Sequence, residues 1–192
     1  CDLLPAGCTV LCAVSGGADS IYLLHRLYHL RGILEFRLVA AHYNHQLRGT
    51  ESRRDEEFVR EFVARHCGGM RLVTAAGERL LPPVELAVGR GDVAGEAARL
   101  GTGLEETARA MRYSFLEETA ERLGADRIAT AHTADDNAET LLLHLLRGTG
   151  LQGLSGIAPR RGKLIRPMLT TTRQTVEQYL NLYGIPHVED SS

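Results

Sequence analysis

Val14-Ser15-Gly16-Gly17-Ala18-Asp19-Ser20 decides how this chain is read. Ahead of it runs Cys8-Thr9-Val10-Leu11-Cys12-Ala13-Val14, short, apolar and partly β-branched, the pattern of a buried strand. Behind it, Ile21-Tyr22-Leu23-Leu24-His25-Arg26-Leu27 carries apolar residues at helical spacing. The heptad is therefore a glycine loop between a strand and a helix N-terminus. Backbone N–H groups converge on an anion there, and the helix dipole adds partial positive charge. Paired glycines remove the Cβ atoms that would hold a phosphate away, and Ser15 and Ser20 are expected to supply hydroxyl donors. Asp19 is the odd member. A carboxylate beside a phosphate is repulsive unless a divalent cation stands between them, so it points to magnesium. The alternative is a tight turn in which Asp19 or Ser20 caps the helix. A Walker loop is excluded, because the spacing and the Gly-Lys-Ser/Thr ending are missing.

The loop resembles the S-G-G-x-D-S signature of the PP-loop ATP pyrophosphatases. That resemblance implies an adenine nucleotide alpha hydrolase-like fold and a bound ATP. Its β,γ-pyrophosphate is held and its α-phosphorus left open to attack. A substrate oxygen is adenylylated, pyrophosphate departs, and a nucleophile later displaces AMP. Ala13, Ser15, Gly16, Gly17, Ala18, Asp19 and Ser20 are the ATP-binding residues so implied.

Bulk properties agree with one domain. The chain has 192 residues, enough for a core without disulfides, so residues 1–192 are expected to form a single PP-loop domain. Its 44% hydrophobic and 24% charged content is that of an ordinary globular protein. No apolar run approaches the roughly 20 residues needed to cross a bilayer, and no signal peptide is evident, so no membrane partner is expected. Cys1, Cys8, Cys12 and Cys67 form no Cys-x-x-Cys pair, which favours buried thiols in a reducing cytoplasm. A net charge of −2 argues against a free-standing nucleic-acid binder. The chain starts without methionine and stops after Glu189-Asp190-Ser191-Ser192, and is expected to be a domain cut from something longer.

After the first helix, Phe36 to His42 reads as a second strand, and a helix from near Glu51 turns Phe58, Phe62 and Val63 towards a core. Between them lies the polar stretch Tyr43 to Thr50, and the two histidines, His42 and His45, lack a third metal ligand. It resembles the family's H-x-x-H-x-L-R motif. This implies adenine beside the backbone at His42, and a loop carrying His45 and Arg48 towards RNA. Met70 to Ala75 reads as a third strand. Ala76 to Gly103, with Pro82-Pro83 and Gly89-Arg90-Gly91, reads as a flexible surface insertion with a short helix near Gly95 to Leu100.

Leu104, Ala108, Met111 and Phe115 form one helical stripe. Arg112, on another face, falls in a run resembling the family's E-x-x-A-R-x-x-R-Y helix, which implies a guanidinium at the α-phosphate. Asp126 to His132 is a fourth strand, followed by Thr133-Ala134-Asp135-Asp136-Asn137-Ala138-Glu139-Thr140. Thr133 and Asp136 have capping-box spacing. One cap does not require His132, Asp135, Asp136 and Glu139 together. At the carboxyl end of a parallel strand, such acids suit magnesium, a substrate ammonium, or a base for an attacking amine. The run resembles A-H-x-x-D-D-Q-x-E-T, with Asn137 in place of glutamine. Leu141 to Leu146 reads as an apolar helix body with His144 packed in it. Arg147 to Leu154 contains a G-x-G-x-x-G that follows a helix, which excludes a nicotinamide site. It resembles the family's R-G-x-G-x-x-G-L loop, implying that Arg147, Gly148 and Gly150 approach nucleotide or RNA. Arg166-Pro167-Met168-Leu169, the helix from Thr172 to Tyr183 and the segment from Gly184 onward resemble the family's later blocks.

Alternating strands and helices predict an α/β fold, a doubly wound parallel sheet with helices on both faces. The order of the blocks resembles that in the tRNA(Ile)-lysidine synthase family. This implies ATP and Mg2+, with L-lysine and tRNA(Ile) bearing a CAU anticodon as partners, and a homodimer as one assembly. Asp19, Arg112, His132, Asp135, Asp136 and Glu139 are then the catalytic candidates, and Asp19 and Asp136 the magnesium ligands. The resemblance implies that C-terminal domains supply much of the RNA surface, and they are expected to lie outside these 192 residues. Three other readings stay open: a tRNA 2-thiolation enzyme, an amide-forming ligase on a small molecule, and a nucleotide-binding sensor.

Overall fold

The computed structural model describes residues 3–47, 49–75, 77–148 and 156–189. In chain order the first half contains β1 (Thr9–Ala13), α1 (Ala18–Leu30), β2 (Arg37–Asn44), α2 (Thr50–His66) and β3 (Met70–Thr74). Then come β4 (Gly77–Leu81), β5 (Glu85–Arg90), α3 (Val93–Leu100), α4 (Leu104–Arg122) and β6 (Arg127–Ala129). The last elements are α5 (Ala134–Leu146), β7 (Arg160–Arg161), β8 (Leu164–Ile165) and α6 (Arg173–Leu182).

Strand alternation in β1 builds two cores from one short stretch. Val10 and Cys12 enter the core on one face and Leu11 the core on the other, all three fully buried. The neighbour β2 repeats the pattern, with Leu38 and Ala40 on the first face and Val39 and Ala41 on the second. Helices α1, α2 and α6 cover the first face through Ile21, Leu24, Val59, Phe62, Val176 and Leu180. Helix α4 covers the second through Leu116 and Ala120, and α3 packs on α4. Each large aliphatic side chain so buried contributes about 1.5–3 kcal/mol. The sheet order is β5-β2-β1-β6-β8-β7, parallel throughout except for β7 at the edge. The expected doubly wound α/β architecture is the one observed.

Two local expectations need correction. Met70–Thr74 is a strand, but it pairs antiparallel with β4 in a separate ribbon and lies outside the main sheet. The place beside β2 is taken by β5, inside the stretch expected to be a surface excursion over 76–103. Glycine at position 89 looks like loop punctuation, whereas here it permits a close approach: a Cβ would stand 2.5 Å from the Phe115 ring. Helix α3, in the same stretch, is capped by Asp92, whose Oδ1 accepts from the Gly95 N–H at 2.9 Å, and it buries Val93 and Ala97. The second correction concerns α5. No described residue of this helix is buried, and Leu142, Leu143, Leu145 and Leu146 are exposed, so the leucine run is not a core helix.

Candidate functional site

The glycine loop is shaped by one buried hydroxyl. Ser20 Oγ accepts from the N–H groups of Ser15 (3.1 Å) and Gly16 (3.2 Å) and from Ser15 Oγ (3.0 Å), and donates to the Gly17 carbonyl at 2.9 Å. The two hydroxyls are therefore engaged inside the loop rather than free as phosphate donors, because the turn itself needs them. Gly16 holds φ at 107°, a conformation that favours glycine. From outside, the Val188 N–H bonds the Gly16 carbonyl at 2.9 Å, and Val188 bridges Gly17. Helix α1 begins at Ala18 with no side-chain cap, so neither Asp19 nor Ser20 plays the capping role. The first-turn N–H groups of Ala18 and Asp19 have no intrahelical acceptor and remain for an anion.

A cleft of about 570 Å³ opens over the carboxyl ends of β1, β2 and β6. Ala13, Ser15, Gly17, Asp19 and Ser20 line it from the loop side, and His42 and His45 from β2 and the turn after it. Arg112 enters from α4, and His132 and Asp136 from beyond β6. Gly16 is buried behind the loop, and Ala18 lines the cavity on its other side. His42 Nδ1–H donates to the Val14 carbonyl at 2.8 Å, which leaves Nε2 buried and unpartnered. His45 Nδ1 and Asp55 Oδ1 are likewise buried without hydrogen bonds, and both residues line the same cleft. Each such atom costs about 1–3 kcal/mol unless something satisfies it. All three belong to residues that line the cleft, which makes this a polar wall. Burial keeps these imidazoles neutral: His42 is pushed down, and His45 falls to about 4, helped by the nearby Arg112 charge. Burial also lowers His132, whose Nδ1 lies 3.0 Å from Thr130 Oγ1.

Behind this wall, buried Glu56 gathers three elements. It accepts from Asn44 Nδ2 (3.0 Å), Arg60 (3.0 Å) and Arg90 (2.6 Å), joining β2, α2 and β5. Hydrogen bonds from Arg90 hold its carboxyl down at about 2.

Arg112 makes no hydrogen bond or ion pair among the described residues; its guanidinium lies 5.6 Å from the centre of the Tyr113 ring. A half-buried cation without a carboxylate beside it is an anion site in waiting. The acids of α5 behave differently. Thr133 and Asp136 form the expected capping box: Asp136 Oδ2 accepts from the Thr133 N–H at 2.7 Å and from Thr133 Oγ1 at 3.0 Å. Asp136 Oδ1 pairs with Arg173 at 2.7 Å, Glu139 pairs with Arg173 at 3.0 Å, and Asp135 Oδ2 holds the Arg173 backbone N–H at 2.8 Å. Of the three, Asp136 lines the cleft, while Asp135 and Glu139 do not. Asn137 Oδ1 accepts from the Ile157 N–H at 2.7 Å, so this shorter amide anchors the returning chain. Arg147 and Gly148 are exposed and line neither the cleft nor the cavity beyond the loop, while Arg48 and Gly150 lie outside the described residues.

Magnesium fits the donor set in a limited way. Asp19 is half-buried, and its pKa is raised by burial and then by the charge of Asp136, a state that a hard cation relieves. No cluster of three or more candidate ligands occurs among the described residues, so most of the metal's shell would be phosphate oxygen and water. Two contributors carried no local signal. Asp55 sits in a charge-rich helical stretch that reads as a solvated face, and Arg173 opens an amphipathic helix with nothing local to mark it.

Comparison with known proteins gives a consistent picture. Residues 6–192 match the family described as the PP-loop domain. A tRNA(Ile)-lysidine synthase of Chlorobaculum tepidum is 42% identical over 178 residues, covering 93% of this chain and 49% of that protein. One from Thermotoga maritima is 40% identical over 190 residues, covering 99% and 42%. The chain thus spans less than half the length of these two curated relatives. Among solved structures, the U34-tRNA thiolase NcsA of Methanococcus maripaludis, with its 4Fe–4S cluster, superposes with a TM-score of 0.77 at 16% identity. That match covers 100% of this chain and 62% of that one. An NH3-dependent NAD synthetase of Campylobacter jejuni gives 0.55 at 16% identity, covering 93% and 64%. At such identities the likeness is one of fold.

Proposed function

The chain belongs to the PP-loop domain family, and on that premise we propose that it is the catalytic part of a tRNA(Ile)-lysidine synthase. The reaction joins lysine to C2 of the wobble cytidine of tRNA(Ile) and consumes ATP to AMP and pyrophosphate. The observation that carries the reading is one continuous cleft, in which an anion-binding loop, an unpaired arginine and a carboxylate of α5 face the same space.

In this reading the loop from Ser15 to Ser20 receives the β,γ-phosphates, with the N–H groups of Ala18 and Asp19 as donors. The wall of Ala13, His42 and Asp55 receives the nucleoside. Asp19 would hold magnesium, which would supply charge neutralisation for the phosphates. The cytidine O2 attacks the α-phosphorus, and the bond from that phosphorus to the pyrophosphate oxygen breaks. Arg112 offsets the charge that accumulates there. The ε-amine of lysine then attacks C2, and the C2–O bond breaks with AMP as leaving group. The proton lost by the amine passes to a carboxylate of α5, for which Asp136 is placed inside the cleft. His132, kept neutral by burial, hydrogen-bonds near that step without adding a competing charge.

The test is to incubate the full-length protein with ATP, lysine and tRNA transcripts, and to examine the cytidine by mass spectrometry. Lysine added to the wobble cytidine, with AMP and pyrophosphate released, is the expected result. Unmodified cytidine, or ADP and orthophosphate as products, overturns the proposal.

A further inference from the structure

Arg173, the first residue of α6, faces two anion sites at once. Its guanidinium pairs with Asp136 at 2.7 Å and Glu139 at 3.0 Å. The same residue lines a second cavity, of about 340 Å³, which it shares with Ser15, Gly17, Ala18, Asp19 and Ser20 of the glycine loop. Its side chain is 47% exposed, so packing does not lock it. Ion pairs at that exposure hold weakly and exchange partners readily. The backbone is fixed, however, because Asp135 holds the Arg173 N–H. A fixed backbone with a half-exposed, weakly held guanidinium is the arrangement of a side chain that changes partners.

We propose that Arg173 is a cation shared between two sites. It neutralises Asp136 and Glu139 while the loop is empty, and turns to the pyrophosphate end of the nucleotide once the loop is filled. This rests on the reading of the loop as a pyrophosphate cradle. A pyrophosphate carries more charge than the two carboxylates and presents oxygens that a guanidinium fork grips in pairs, so it outcompetes them. When Arg173 leaves, the two acids lose their resident cation and become available to a substrate ammonium. Nucleotide and amine sites are thereby coupled through one side chain, with the nucleotide binding first. The coupling is reciprocal, as linkage requires.

Inorganic pyrophosphate, titrated calorimetrically into the full chain at fixed ionic strength, tests this. Arg173→Gln is expected to weaken binding about tenfold, the loss of charge-assisted hydrogen bonds. Glu139→Gln is expected to tighten it by releasing the arginine. In the double variant that tightening disappears, because no arginine remains to be released. Arg173→Lys, which keeps the charge without the fork, falls between wild type and Arg173→Gln and guards against a folding defect, checked by thermal melting. Undiminished binding by Arg173→Gln overturns the shared cation alone. So does a tightening by Glu139→Gln that persists in the double variant, since the glutamate then acts by bare charge. Failure of wild type to bind pyrophosphate overturns the cradle, and the shared cation with it.

Discussion

Arg112 brings a positive charge to a cleft whose imidazoles, His45 and His132, are both pushed towards the neutral form by burial. No described residue hydrogen-bonds or ion-pairs with Arg112, which leaves its guanidinium open to a ligand anion. Arg112→Ala is therefore expected to lower the adenylylation rate about 10²–10³-fold, the size seen when one oxyanion-stabilising donor is lost. Arg112→Lys should recover only part of it. Isotope exchange between ATP and pyrophosphate, with tRNA present, measures both, and an unchanged rate removes the assignment. Asp19→Asn makes a separate demand: with ATP saturating, exchange should fall sharply and lose its magnesium dependence. These residues were legible because they stand in ordered motifs on either side of strand ends. Asp55 and Arg173 were not, since what marks them is a buried oxygen without a hydrogen bond beside a cleft and a guanidinium between two elements. Both properties arise only when distant segments fold together.

At the scale of elements, β1 was readable as a short, apolar, partly β-branched run, and the capping box from spacing alone. β5 was hidden by its glycine. A loop-forming residue and a residue that lets a ring approach are the same letter, and only the Phe115 ring from α4 tells them apart. Gly89→Ala should therefore destabilise the fold by roughly 1–3 kcal/mol through overpacking. Adding Phe115→Leu should restore part of the loss. Urea unfolding of the single and double variants checks this, and a neutral Gly89→Ala would show that the ring moves freely. The leucines of α5 failed in the opposite sense. Apolar composition alone does not reveal whether anything covers a helix, and here their faces are open.

For the molecule as a whole, acid and charge set the limits of stability and partnership. His25 and His45 sit at about 4, chiefly through burial, so an unfolded chain takes up their protons first, near the ordinary 6.5. The stability they contribute is complete above pH 6.5 and is lost as pH falls towards 4. Glu56, near 2 against an ordinary 4.5, adds a second loss below pH 4.5. Melting temperatures should thus decline in two stages on acidification, and His25→Gln should flatten the first. The charge balance bears on RNA. Lys and Arg number 22 against 24 Asp and Glu, and among the arginines Arg37, Arg60, Arg71, Arg79, Arg90 and Arg99 are already paired with acids. Each phosphate neutralised on tRNA contributes a salt slope of about −0.7 to −0.9, and a net charge of −2 gives the chain no overall attraction for a polyanion. This chain alone should therefore hold ATP yet bind tRNA weakly, with affinity that changes little between low and moderate salt. Fluorescence anisotropy of labelled tRNA across a salt series, beside ATP calorimetry on the same preparation, measures the two. Tight binding with a slope equivalent to several phosphates would mean that the exposed arginines assemble a basic surface despite their acidic neighbours.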